Sequence, residues 1–177
     1  MKIKTEFRKV LLALCACACA ATMAAKVSSS VPKGWSEDFT AAQKAAAEEN
    51  KYILLAFSGS DWCPRCVKMD RDIYSDKKFI RAAKNDFELV MIDSPQDQSI
   101  LSPLAKAQNR GLLRKYGIRG FPCSVLVHPD GTEAKRFGGY QSGGPEAFLE
   151  KLKEAAKAAG APKKPAAEEK PAAEEKK

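Results

Sequence analysis

Two cysteines separated by two residues, Cys63 and Cys66 in the stretch Asp61-Trp62-Cys63-Pro64-Arg65-Cys66, are the side chains best suited to covalent chemistry. If this stretch opens a helix, the two sulfurs come within bonding reach across the first turn. Cys63 then faces the unpaired N–H groups and the positive end of that helix, which stabilise a thiolate. Arg65 adds a permanent positive charge, and Pro64 suits a helix start, where its missing N–H costs nothing. Both electrostatic effects favour the thiolate, and so the reduced pair, which makes the disulfide a better oxidant. Three other chemistries compete. An inert disulfide usually joins distant segments and closes a larger loop. Zinc would take Cys63, Cys66, Cys123 and His128, but one such cysteine pair without a second is a weak zinc pattern, and no metal is expected. Covalent haem attachment needs His directly after the second cysteine, where Val67 stands.

Hydrophobic spacing supplies the elements that must position the pair. Tyr52 to Phe57 (YILLAF) is a short continuous apolar run, the pattern of a strand buried on both faces, and it ends just before the dithiol. Ahead of it, Ser36 caps a helix reaching about Asn50, with Phe39, Ala42 and Ala46 on one face. A helical stretch runs from about Cys63 and breaks near Ser75-Asp76. Phe87 to Ile92 is a second buried strand, and Pro103 to Tyr116 a helix ended by Gly117. Ser124 to Val127 is a third strand, turned at Pro129-Asp130-Gly131 into an antiparallel partner from Glu133 to Phe137. Gly144-Pro145 starts the last helix, with Phe148, Leu149, Leu152 and Ala156 at helical spacing and Gly160 at its end. Strands alternating with helices, then a hairpin and a final helix, imply a mixed sheet covered on both faces. His128, beside the turn, reads as a surface residue, Asp61 and Lys68 as a solvated face, and Ser94 to Ser102 as a polar loop shaping access.

The 177 residues suffice for one compact domain. MKIKTEFRK followed by the apolar run Val10 to Ala25 reads as a cleaved signal peptide over residues 1–25. An uncleaved anchor and a lipid attachment at Cys17 are the alternatives, and only the latter two would tie the protein to a membrane. Without residues 1–25 the charge balance is 26 basic against 21 acidic, dispersed and without aromatic interleaving, so nucleic-acid binding is not expected. Export to a periplasmic or extracellular space places Cys63, Cys66 and Cys123 under oxidising conditions, and their odd number leaves one thiol without an internal partner. Residues 26–34 read as a linker, 35–159 as the globular domain, and 160–177, with its repeated KPAAEEK, as a disordered tail.

The domain resembles the thioredoxin-like family, in particular exported members bearing FSGSDWCxxC, here Phe57 to Cys66. A second segment, Tyr116-Gly117-Ile118-Arg119-Gly120-Phe121-Pro122, is similar to the loop that holds the family's cis-proline opposite the dithiol. The resemblance implies an α/β thioredoxin fold, a mixed central β-sheet flanked by helices on both faces. It implies that Cys63 is the attacking thiolate and Cys66 the resolving thiol of a redox-active disulfide. Trp62, Phe121 and Pro122 would then contact substrate, and Arg65 would tune the thiolate. The implied activity is thiol–disulfide exchange with cysteines or disulfides of protein substrates, recharged by a further redox partner. The protein would act as a monomer without cofactor. The alternative is a non-catalytic binding or chaperone-like module with a vestigial dithiol. Two departures stand out. Many family members carry a buried acid in the first strand; the matching place is Ala56 or Phe57, so proton transfer must use water or another group. Cys123 follows Pro122 where Thr is common, and is expected to be a buried bystander.

Overall fold

The computed structural model describes residues 31–165; the signal segment 1–25, Cys17 and residues 166–177 lie outside the described residues. The architecture grows from β1 (Tyr52–Ser58), all seven residues of which are buried. β1 pairs in parallel with β2 (Phe87–Asp93) on one side and antiparallel with β3 (Cys123–Val127) on the other. β4 (Glu133–Gly138) closes the hairpin, giving the order β2-β1-β3-β4. A central strand between two helical layers must be apolar on both faces, and the pleat sends alternate residues to opposite layers. Leu54 and Ala56 join Leu89, Met91 and Leu126 in one layer, while Ile53, Leu55 and Phe57 join Val90, Ile92 and Val125 in the other.

The first layer is covered by α2 (Pro64–Met69), a π turn (Asp70–Tyr74), α3 (Lys77–Ala83) and α5 (Gly144–Ala159), through Met69, Ile73, Phe79, Phe148 and Leu152. The second is covered by α1 (Phe39–Glu49) and α4 (Pro103–Lys115), through Phe39, Ala42, Ala46 and Leu112. This is the thioredoxin fold expected from the sequence. The break near Ser75 is a π turn followed by a new helix capped by Asp76, whose carboxylate accepts from the Phe79 N–H at 2.7 Å.

Two local expectations are corrected. The cap of α1 is Asp38, not Ser36: its carboxylate accepts from Ala41 N–H at 2.9 Å. Ser36 instead bridges to Val90 at the edge of β2, so its backbone bonds are spent on the sheet. His128 is not on the surface but only 3% exposed. Its ring lies 4.8 Å from that of Tyr52, and its Nδ1 accepts from the Lys163 N–H at 3.1 Å. The chain therefore stays docked past Gly160, the Lys163 carbonyl also accepting from Asp130 N–H. Burial, reinforced by Lys163, holds the His128 imidazole below its ordinary value.

The unfolded chain thus takes up a proton on His128 more readily than the folded one. Its contribution is fully present above about pH 6.5, the value of a free imidazole. It is lost as pH falls toward the lower folded value, at up to about 1.4 kcal/mol per pH unit. Denaturant unfolding at neutral and mildly acid pH checks this: His128→Gln should flatten that part of the pH dependence, and an unchanged slope would refute it.

Candidate active site

β1 ends at Ser58, and five residues later the chain enters α2 with Cys63 as its N-cap residue. Cys63 has extended backbone, and Pro64 fills the first helical position. Cys63 and Cys66 are joined as a disulfide with Cα atoms 5.2 Å apart. The Cys63 sulfur accepts from the Cys66 N–H at 3.2 Å, so a backbone donor of the helix start points at it. Both cysteines are buried, Cys63 at 6% exposed and Cys66 at 1%. Arg65 projects from the first turn and is exposed.

Strand register brings the second segment to the same place. Phe57 pairs with Cys123, so the residues just before β3 stand beside the loop that leaves β1. Phe121–Pro122 is a cis peptide, and Gly139 N–H donates to the Pro122 carbonyl at 2.8 Å. Trp62, 41% exposed, meets Phe121 edge-on at 5.4 Å. Cys123 is buried between Phe57 and Gly138, and burial pushes its thiol up. His128 sits at the opposite end of β3, so the structure does not gather the four zinc ligands weighed above; among the described residues no cluster of His, Cys, Asp and Glu is arranged to hold a metal.

The residues around the dithiol explain the stretch Gly59-Ser60-Asp61-Trp62, of which the sequence offered only the family resemblance, a substrate contact at Trp62 and a solvated face at Asp61. Ser60 N–H and Oγ both donate to the buried Asp93 carboxylate, at 3.0 and 2.5 Å. Asp61 is exposed as expected, and its two oxygens accept from Gln96 and Asp97 N–H; these donors, Asp97 first, hold its carboxyl below the usual range. The Trp62 indole N–H donates to the Ser94 carbonyl at 2.8 Å. The loop after β2 is thereby tied to the dithiol loop at three points. Lys68, exposed as expected, also pairs with Asp72 at 2.5 Å and with the Tyr140 hydroxyl at 2.9 Å.

Gly59 is the seat of the Trp62 ring. A Cβ there would lie 2.6 Å from indole Cζ2 and Nε1 and closer still to Cε2. Gly59→Ala is therefore expected to lift the ring, break its bond to Ser94 and cost about 1–3 kcal/mol, the range of overpacking. Urea unfolding together with tryptophan emission measures both effects. Wild-type stability with unchanged emission would show that the ring is not held there.

A cavity of about 120 Å³ opens beside Cys66, lined also by Ser58, Val67, Asp70 and Asp93. Neither Ala56 nor Phe57 can titrate, and the carboxylates that line this cavity, Asp70 and Asp93, come from the π turn and from the end of β2. Asp70 is half-buried and its N–H donates to the Cys66 carbonyl. Burial pushes its carboxyl up and nearby Asp93 adds to this, while the Ser75 hydroxyl at 3.0 Å draws it partly back.

A family model described as "Thioredoxin-like domain" matches residues 39–156. The disulfide bond reductase DsbH of Chlamydia pneumoniae is 33% identical over 122 residues, 68% of this chain and 72% of that protein. The thiol:disulfide interchange protein DsbD of Ralstonia nicotianae is 30% identical over 121 residues, but the chain spans only 18% of its length. Among solved structures, a DsbH oxidoreductase superposes with a TM-score of 0.65 at 29% identity, covering 75% of this chain and 89% of that one. A thioredoxin from Thermus thermophilus, at 22% identity and a TM-score of 0.52, shares the fold.

Proposed function

The chain belongs to the thioredoxin-like domain family and is a thiol–disulfide oxidoreductase, and from that premise we propose that Cys63 and Cys66 are its redox pair, acting on protein substrates outside the cytoplasm. Cys63, whose sulfur receives the helix-start N–H, attacks a substrate disulfide and forms a mixed disulfide. Cys66 then attacks Cys63, releasing the substrate thiolate; run backwards, the same steps oxidise a dithiol. Trp62 and Phe121 offer an apolar seat, and the loop carrying Phe121 and Pro122 accompanies the substrate backbone. Arg65 adds positive charge near the attacking sulfur. Asp70 accepts the Cys66 proton through the adjoining cavity as Cys66 becomes a nucleophile.

The observation that carries this reading is the Cys63 sulfur at the helix start with Cys66 buried behind it. Export rests on residues 1–25, whose basic start, apolar middle and small-residue exit have the form of a signal peptide. Among the described residues no helix is long and apolar enough to cross a membrane. The test is turnover: with dithiothreitol as electron source, the protein should reduce insulin faster than the reagent alone. Equilibration in glutathione buffers should show one two-electron couple, mapped by mass to residues 63 and 66. Binding of insulin without turnover would favour a non-catalytic module.

A further inference from the structure

The groove next to Trp62 carries a charge pattern that the exchange chemistry leaves unused. Helix α4 contains Lys106, Arg110, Arg114 and Lys115 and no acidic residue. The first three recur every four residues, so they stack on one helix face. All three are exposed, and all three line one groove of about 310 Å³ together with Ser94, Leu113 and one acid, Asp93, which is buried and whose carboxylate accepts from Ser60. Its floor is fixed, because buried Asn109 donates to the Asp93 carbonyl at 2.8 Å. Among the described residues none of the three makes a salt bridge; Lys106 only weakly helps Ser99 to hold the Asp97 carboxyl down. Helix α5, on the other face of the sheet, instead mixes Glu146, Glu150 and Glu154 with Lys151, Lys153 and Lys157.

Like charges four residues apart cost a helix a few tenths of a kcal/mol per pair. The fold draws no return from them, since their side chains leave the core. An anionic occupant would offset that repulsion. The path from the dithiol is short: Cys63 adjoins exposed Trp62, whose indole is bonded to Ser94, and Ser94 forms the near wall of the groove.

We infer that this groove receives acidic side chains flanking the reacting disulfide of an extended protein substrate, and so selects acidic polypeptide segments. The inference rests on the exchange reading for turnover, but binding can be tested apart from it. Three peptide disulfides of equal length, with acidic, neutral or basic residues beside the cystine, serve as substrates for the full chain. The acidic one should exceed the neutral one in kcat/KM by about tenfold at low ionic strength. The difference should vanish at about 1 M salt, where charges are screened within about 3 Å. Arg110→Glu/Arg114→Glu should abolish or invert the acidic-to-neutral ratio. Lys151→Glu/Lys157→Glu, with the same change in net charge on α5, should preserve it.

Equal ratios in the two double variants would mean that only net charge matters, and would overturn the inference. So would equal turnover of the acidic and neutral peptides by the wild type. A cysteine-free acidic peptide titrated against tryptophan emission reads the groove directly. Binding lost in the α4 variant alone supports it whatever turnover does, whereas failure to turn over the neutral peptide condemns the exchange reading and not the groove.

Discussion

Cys63→Ser should abolish disulfide exchange, with a loss of roughly 10³-fold or more, because it removes the group that forms the covalent intermediate. A serine hydroxyl neither ionises near neutral pH nor forms the mixed disulfide. Cys66→Ala should behave differently: attack by Cys63 proceeds, release fails, and the substrate accumulates as a covalent adduct visible by mass. The two outcomes follow from the roles proposed for the pair, Cys63 attacking substrate from the helix start, where its sulfur accepts the Cys66 N–H, and Cys66 resolving the adduct. Cys123→Ser should retain most turnover, since that thiol is buried in β3 and pushed up by burial, away from its reactive form. If Cys123→Ser loses most activity, or Cys63→Ser keeps it, the assignment of the redox pair is wrong.

The second large effect belongs to Asp70. As the proton acceptor for Cys66, it should speed release of the mixed disulfide by on the order of 10²-fold, the lower range for a positioned base. The sign of its pH dependence follows from burial. A carboxyl pushed up is ionised only above that raised value, so wild-type release should slow as pH falls through it. Asp70→Asn should be slow throughout and lack that inflection, while formation of the mixed disulfide by Cys63 stays near the wild-type rate. Asp70→Glu should recover part of the release rate. Rapid-quench separation of the two steps decides it: release by Asp70→Asn that matches wild type across pH would leave Asp70 without a part.

Much of this site is legible before any coordinates. A cysteine spacing of three, a proline suited to the first helical turn and a preceding apolar run specify a strand–dithiol–helix unit, because each is a local property of chain geometry. The six-residue run from Tyr52 identifies β1 as a strand buried on both faces, and the alternation of strands and helices identifies the mixed sheet. Local rules misled where a residue had a distant competitor. Ser36 has the chemistry of a cap, but the edge of β2 claims its backbone. His128 follows a strand at a polar turn, yet the returning segment at Lys163 covers it.

What the chain's own residues determined, then, is the kind of chemistry and the element that presents it, since both depend on neighbours within a single turn. Tertiary structure alone decided which partners surround the sulfurs. Ser60 finds Asp93 across 33 positions, Gly59 is required by where the Trp62 ring comes to rest, and the cavity beside Cys66 joins the π turn to the end of β2. Such contacts are fixed by packing two helical layers onto one sheet at close-packed density, and no periodicity in the sequence records them.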